Sequence, residues 1–256
     1  MERFPVTLPR NDRPVNAGIK HSLGSVAAVV FGIFTGTSHE IPGDSTHFRQ
    51  PKISAHTSGF GNKPVVCVSW FDAARFANWL GNGQGGGDTE TGAYSLAGAI
   101  SGNAVARNSE ATVCLPSENE WYKAAYYNGG SSTYSLYPNG RNAITQTDAN
   151  YNNGVGASTD VGSYSGVESF YGTFDQGGNV WEWNDLDTVP GLTRGLRGGS
   201  WYINYGDYLV SSHRVISWNQ SFENGDVGFR VASIPEPASL ILTMLAGGMQ
   251  LLRRRR

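Results

Sequence analysis

Charge is scarce in this chain: Asp, Glu, Lys and Arg make up 16% of the 256 residues, against roughly a quarter in an ordinary soluble domain. So thin a supply of charged surface excludes a helical bundle and points to turns, short strands and polar loops. An excess of basic residues is missing too. The 19 Lys and Arg face 21 Asp and Glu, and four of the 19 are Arg253, Arg254, Arg255 and Arg256, which leaves 15 against 21 elsewhere. Nothing in that balance serves a phosphate backbone, so no nucleic-acid partner is expected.

Cysteine is nearly absent. Cys67 lies within Val65-Val-Cys-Val68 and Cys114 within Thr112-Val-Cys-Leu115. Such apolar contexts favour a buried thiol acting as a small hydrophobe, with a Cys67–Cys114 disulfide as the alternative. Long apolar runs are also lacking. Leu23–Phe34 follows Lys20-His21 and precedes small polar residues, so residues 20–38 read either as an export signal or as a buried strand or helix. Gly81–Gly92 is glycine-rich but has neither the strand-to-helix setting nor the Lys-Ser/Thr of a phosphate loop.

Glycine, with 34 residues, and the aromatics, with seven Trp and twelve Tyr, are plentiful. They concentrate in Tyr171-Gly-Thr-Phe-Asp-Gln-Gly-Gly-Asn-Val-Trp-Glu-Trp183. Gly172, Gly177 and Gly178 permit a tight turn with inward carbonyls, and Trp181 and Trp183 can anchor a loop that has little regular structure. Upstream, Pro64–Val68 reads as a short buried strand. Ser69 with Asp72 reads as a capping box opening a helix whose buried face carries Ala73, Phe76, Ala77 and Leu80 and which Gly81 stops with a positive φ. Thr112–Leu115 repeats the strand, and Ser117 with Glu120 repeats the capping box ahead of Trp121, Ala124 and Ala125.

Four further segments occur in a telling order: Leu115-Pro-Ser-Glu-Asn-Glu-Trp121, Gly178-Asn-Val-Trp-Glu-Trp183, Arg197-Gly-Gly-Ser-Trp201 and Gly228-Phe-Arg230. With Val68–Leu80, they make residues 62–232 resemble the formylglycine-generating enzyme, or sulfatase-modifying factor, family. The resemblance implies an α+β fold, a variant of the C-type-lectin architecture with few short strands, two main helices and much ordered loop. Residues 1–61 form a poorly defined N-terminal region.

That resemblance also implies Ca²⁺ sites. One would use Asp175 and Glu182 by side chain and Gly178 and Val180 by carbonyl, which is the hard oxygen set calcium takes. A second would use Asn150 by side chain and Tyr151 by carbonyl, although its loop, Asn152–Thr159, lacks a clearly placed acidic partner. The alternative for Asp175 and Glu182 is ion pairing with Arg197 or Arg230. Enzymes of this family carry two cysteines after Arg-Gly-Gly-Ser that bind copper as thiolates. Here those positions are Ile203 and Tyr208, so no catalytic residue is assigned and no copper is expected. Five scattered histidines, of which only His213 lies nearby, offer no two-His-one-carboxylate set.

The C-terminus resembles a PEP-CTERM sorting signal. In residues 233–256, Pro235, Glu236 and Pro237 are followed by an apolar stretch and then by Arg253–Arg256, which would stay on the cytoplasmic side. The resemblance implies an exosortase as processing partner, transient anchorage in the inner membrane, and a final place in the envelope or outside the cell. The expected function is that of a non-catalytic, calcium-stabilised binding or matrix module for an extracellular protein or glycan. The alternative is a formylglycine-generating oxidoreductase acting on sulfatase cysteines.

Overall fold

Two side chains that reach back to their own backbone start the two helices. A computed structural model describes residues 61–102, 104–186 and 193–234. In it, helix α1 spans Trp70–Gly81: Ser69 Oγ accepts from the Asp72 amide at 3.2 Å, and Asp72 Oδ2 accepts from the Ser69 amide at 2.9 Å. Helix α2 spans Glu118–Tyr126, with Ser117 and Glu120 in the same reciprocal arrangement at 3.2 and 2.7 Å. Each box satisfies donors that a helix start otherwise leaves open.

The end of α1 lies beyond the expected stop. Gly81 is its last residue, and the left-handed position is Gly83, at φ 87°. The Gly83 amide bonds Leu80 O and the Gln84 amide bonds Trp79 O, the pair of contacts that defines a Schellman ending. The helix is also buried on more than one face, since Trp70, Phe71, Ala73, Ala74, Arg75 and Asn78 are all enclosed while Phe76 and Leu80 are only partly covered.

Pro64–Val68 is not a strand. Pro64 has no amide to give a ladder, and Cys67 adopts φ 59°, which breaks extended backbone; its amide bonds Asn224 O instead. The strands are β1 (Val113–Cys114), β2 (Tyr127–Asn128), β3 (Thr133–Tyr134), β4 (Trp181–Asn184), β5 (Thr193–Arg197), β6 (Val215–Asn219), β7 (Val227–Phe229) and β8 (Ala232–Ser233). A four-stranded sheet runs β6-β5-β4-β7, with β4 and β7 parallel and the other pairs antiparallel. Two-residue ladders join β1 to β8 and β2 to β3. With so little ladder, the mixed α+β fold depends on side chains.

Three indoles show how. Trp183 Nε1 donates to Val68 O at 3.0 Å, Trp70 Nε1 to Asp185 Oδ1 at 3.0 Å, and Trp121 Nε1 to Glu182 Oε2 at 2.6 Å, and all three rings are fully enclosed. Truncating a ring buried this way costs about 3–5 kcal/mol. Each therefore pins a loop that backbone hydrogen bonds alone would leave loose.

Candidate functional site

The glycine-rich loop enters β4 through left-handed backbone. Gly172, Asp175, Gly178 and Asn179 have φ of 74°, 57°, 78° and 62°. Asp and Asn tolerate that region better than other side chains. Gly178 has no substitute, because a Cβ there would collide with the Asn150 carbonyl. The same close approach lets the Asn179 amide bond Asn150 O at 2.8 Å and the Gly178 amide bond Gly198 O at 2.8 Å. The loop is thus tied to residues 150 and 198 by its own main chain.

Two ion pairs flank β4. Glu182 accepts from Arg230 through both carboxylate oxygens and from Trp121, while Arg230 Nη2 also holds Phe174 O at 3.1 Å. Glu118 accepts from Arg197 Nε at 2.7 Å and from Asn184 Nδ2 at 3.0 Å. All four charged side chains are buried. A third buried acid, Asp185, accepts from Trp70 and Tyr94 and lies 3.9 Å from Arg194 Nε; burial pushes its pKa up to about 6 despite those partners.

The remaining sequence-derived ligands are placed differently. Among the described residues, Asp175 Oδ2 accepts only the Gly162 amide, at 2.7 Å, and desolvation pushes its pKa up to about 6. Asn150 donates through Nδ2 to Ala157 O at 2.8 Å, but its enclosed Oδ1 receives no hydrogen bond. Tyr151 O accepts long bonds from Gly154 N and Gln146 Nε2. Among the described residues, no three His, Cys, Asp or Glu side chains converge as a metal cluster.

Ile203 and Tyr208 follow the Arg197-Gly-Gly-Ser turn. Ile203 lies over Gly199, where a Cβ would come within 2.6 Å of its Cδ1. Tyr208, in the 3-10 turn Gly206–Leu209, meets the His213 ring at 4.7 Å and Trp181 at 6.2 Å between centroids. The His213 Nε2 atom is enclosed without a hydrogen bond, and burial together with Arg197 lowers its pKa. Both thiols are free. Burial pushes Cys114 up to about 12, against the pull of Arg107, and raises Cys67 as well.

The family profile described as "Sulfatase-modifying factor enzyme 1-like domain" matches residues 1–234. The chain belongs to the sulfatase-modifying factor family. It is similar to the formylglycine-generating enzyme of Streptomyces coelicolor, 26% identical over 234 residues, covering 80% of this chain and 64% of that protein. It is also similar to the serine/threonine-protein kinase Pkn1 of Chlamydia trachomatis, 29% identical over 192 residues, covering 68% of this chain and 25% of the kinase. The chain therefore spans only a quarter of the one relative and under two thirds of the other. Among solved structures, Treponema denticola variable protein 1 superposes with a TM-score of 0.54 at 27% identity, covering 70% of this chain and 74% of that one.

Set against what sulfatase-modifying factor resemblance implies, the oxygen ligands divide. Glu182 is the ion-pair member that the sequence left as an alternative, with Arg230 as its partner; Arg197 pairs with Glu118 instead. A cation at the Glu182 carboxylate would face the Arg230 guanidinium directly, so that side chain does not fit the role. Asp175 and Asn150 do fit, each offering a desolvated oxygen with spare capacity. The tail residues Pro235–Pro237 and Arg253–Arg256, and the segment 20–38, lie outside the described residues.

Sequence reasoning missed two groups. The Glu118–Arg197 pair hides in the motifs themselves, since both residues belong to segments that carried the family resemblance. The other group is a row of rings, half-buried on α2 and β2 and exposed on β3 and the loop before Gly172. Its signal was the doublet Tyr126-Tyr127 and Tyr134 on either side of Asn128-Gly-Gly-Ser131, which is hairpin grammar.

Proposed function

We propose that this family member is a non-catalytic binding module, exported and released at the cell envelope or beyond it. One observation carries the reading: the positions where the family's enzymes place two thiols hold Ile203, packed on Gly199, and Tyr208, packed on Trp181 and His213. Neither side chain can form a thiolate, and the two thiols the chain does have are pushed toward the protonated form. The scaffold is read as a variant of the C-type-lectin fold, in line with its two helices and short-stranded sheets. Calcium, in this reading, is held at two separate places, at one by Asp175 with the carbonyls of Gly178 and Val180 and at the other by Asn150 with the Tyr151 carbonyl, and it stabilises the loops without entering any reaction.

The similarity to a formylglycine-generating enzyme favours the alternative, an oxidoreductase acting on sulfatase cysteines. Fold alone does not decide between them. Mass spectrometry tests both halves of the proposal. A Cys-containing sulfatase peptide incubated with the protein should keep its thiol, and an aldehyde product would overturn the non-catalytic reading. The protein recovered from its own host should have lost Arg253–Arg256 through cleavage near Pro235-Glu-Pro237; a cytoplasmic species retaining Arg256 would overturn export.

A further inference from the structure

Exposed and half-buried rings form one continuous surface. Tyr122 meets Tyr134 at 5.0 Å between centroids, Tyr134 meets Tyr127 at 5.1 Å, Tyr127 stacks on Tyr171 at 6.4 Å with 19° between planes, and Tyr171 meets Phe170 at 5.4 Å. Tyr134, Phe170 and Tyr171 are 50%, 54% and 42% exposed. Isolated exposed aromatics need no explanation, but a contiguous patch held open to water does.

The patch is rigid before anything binds. Tyr126, enclosed beneath it, hydrogen-bonds Leu209 O at 3.0 Å and braces Tyr122 from below at 5.2 Å. At the hairpin turn Phe170 lies over Gly129, where an added Cβ would come within 2.8 Å of its Cε1. The turn is closed by Asn128 Oδ1, which accepts from the amides of Gly130 and Ser131. Ordering cost is therefore small on the protein side.

Its chemistry selects a ligand. Four of the five rings bear hydroxyls, and Ser131 and Thr133 add two more at the hairpin, 2.7 Å apart. The charges nearby are Lys123, whose ammonium lies 5.5 Å from the Tyr127 centroid, Glu168, two residues before Phe170, and the buried Arg197, 5.4 Å from the Tyr122 centroid and paired with Glu118; the formal charges of these four cancel. Aromatic faces edged with hydroxyls and lacking net charge suit the apolar C–H faces and equatorial hydroxyls of uncharged pyranose rings. Protein interfaces centre on anchors that lose their water in pockets, whereas three of these rings stand 42–54% exposed as an open surface.

We propose that Tyr134, Phe170 and Tyr171, backed by the half-buried Tyr122 and Tyr127, form a platform for a neutral polysaccharide laid along the hairpin, its sugar rings meeting the aromatic surface that those three rings leave open to water. This rests on the reading of the chain as a binding module and names that module's ligand class and site.

Affinity electrophoresis of the whole chain through gels containing hydroxyethylcellulose, a soluble β-glucan or the anionic polymer alginate tests it. A neutral polymer should retard the protein. Tyr134→Ala and Tyr171→Ala should each weaken retardation at least tenfold while leaving the melting temperature nearly unchanged. Tyr134→Phe should keep most of the binding because the ring is what stacks, and Gly129→Ala should weaken it by displacing Phe170. Retardation by alginate alone, abolished by salt, would overturn the proposal, as would no retardation by either neutral polymer. Loss of binding in Tyr202→Ala, exposed elsewhere, with Tyr134→Ala intact would overturn the platform and leave the binding-module reading standing. Only the aldehyde product would remove that reading.

Discussion

The sheet around β4 and the hairpin β2–β3 reverse the usual distribution of residues. The sheet encloses Glu182, Arg230, Glu118 and Arg197, while the hairpin displays Tyr134 with Phe170 and Tyr171 beside it. Inside, every carboxylate of the two pairs is met by a guanidinium and a further N–H donor, from Trp121 or from Asn184. Outside, the rings meet one another and then water. A buried pair holds loops in register without adding much net stability, whereas an exposed row of rings gives up burial energy that a ligand could recover. One region keeps the scaffold's shape, and the other is left to meet a partner.

The largest expected effect breaks the buried side. Arg230→Ala leaves the Glu182 carboxylate enclosed without its cation and should cost about 3–5 kcal/mol, read from the urea midpoint. The double variant Glu182→Gln/Arg230→Met should recover much of that loss. A cost below about 1 kcal/mol for Arg230→Ala would mean that water reaches Glu182 and that the sheet does not depend on the pair.

Acidity sharpens the same side. Asp185 titrates at about 6 in the fold, above the value of a free carboxyl, because burial disfavours its charge. Below about pH 4 the native and unfolded chains both carry this proton, so it has no effect there. As pH rises toward 6 the unfolded chain releases the proton first, so stability falls, by on the order of 2–3 kcal/mol once Asp185 is ionised. Asp175 should add a slope of the same sign, its carboxyl also being raised to about 6 by desolvation. Asp185→Asn should flatten part of the melting-temperature profile between pH 4 and 7; an unchanged profile would place the titration elsewhere.

A smaller effect lies between the two regions. Chelation should lower the melting temperature of the wild type by a few degrees, and Asp175→Ala combined with Asn150→Ala should remove that dependence while Glu182→Gln keeps it. Equal melting with and without Ca²⁺ would make Asn150 Oδ1 an acceptor left empty for structural reasons alone.

How much of this could be read in advance follows sequence separation. Ser69 with Asp72 and Ser117 with Glu120 were legible because a capping box closes within three residues. The family motifs were legible because each is a short contiguous word. Gly83 displaced Gly81 as the stop of α1 because Asn82 could serve as the C-cap and let the helix run two residues longer. Cys67 left the extended region because its amide answers Asn224, far along the chain. Glu182 was seen as a candidate ligand, but whether Arg197 or Arg230 would take it depended on the parallel register of β4 with β7, which no local pattern encodes. The aromatic platform stayed hidden because its rings come from residues 122 to 171 and meet only in three dimensions.

The central claim is that the position of the family's thiol pair holds no metal-binding chemistry here, and a copper titration tests it most directly. Cu(I) should be bound no better by the wild type than by a chain lacking both native thiols, Cys67→Ala/Cys114→Ala, while Ile203→Cys/Tyr208→Cys, which restores sulfur to the Arg197-Gly-Gly-Ser turn, should gain at least a hundredfold in affinity. Tight binding by the wild type that Tyr208→Phe or His213→Ala abolishes would contradict the account and return this chain to the enzymes of its family.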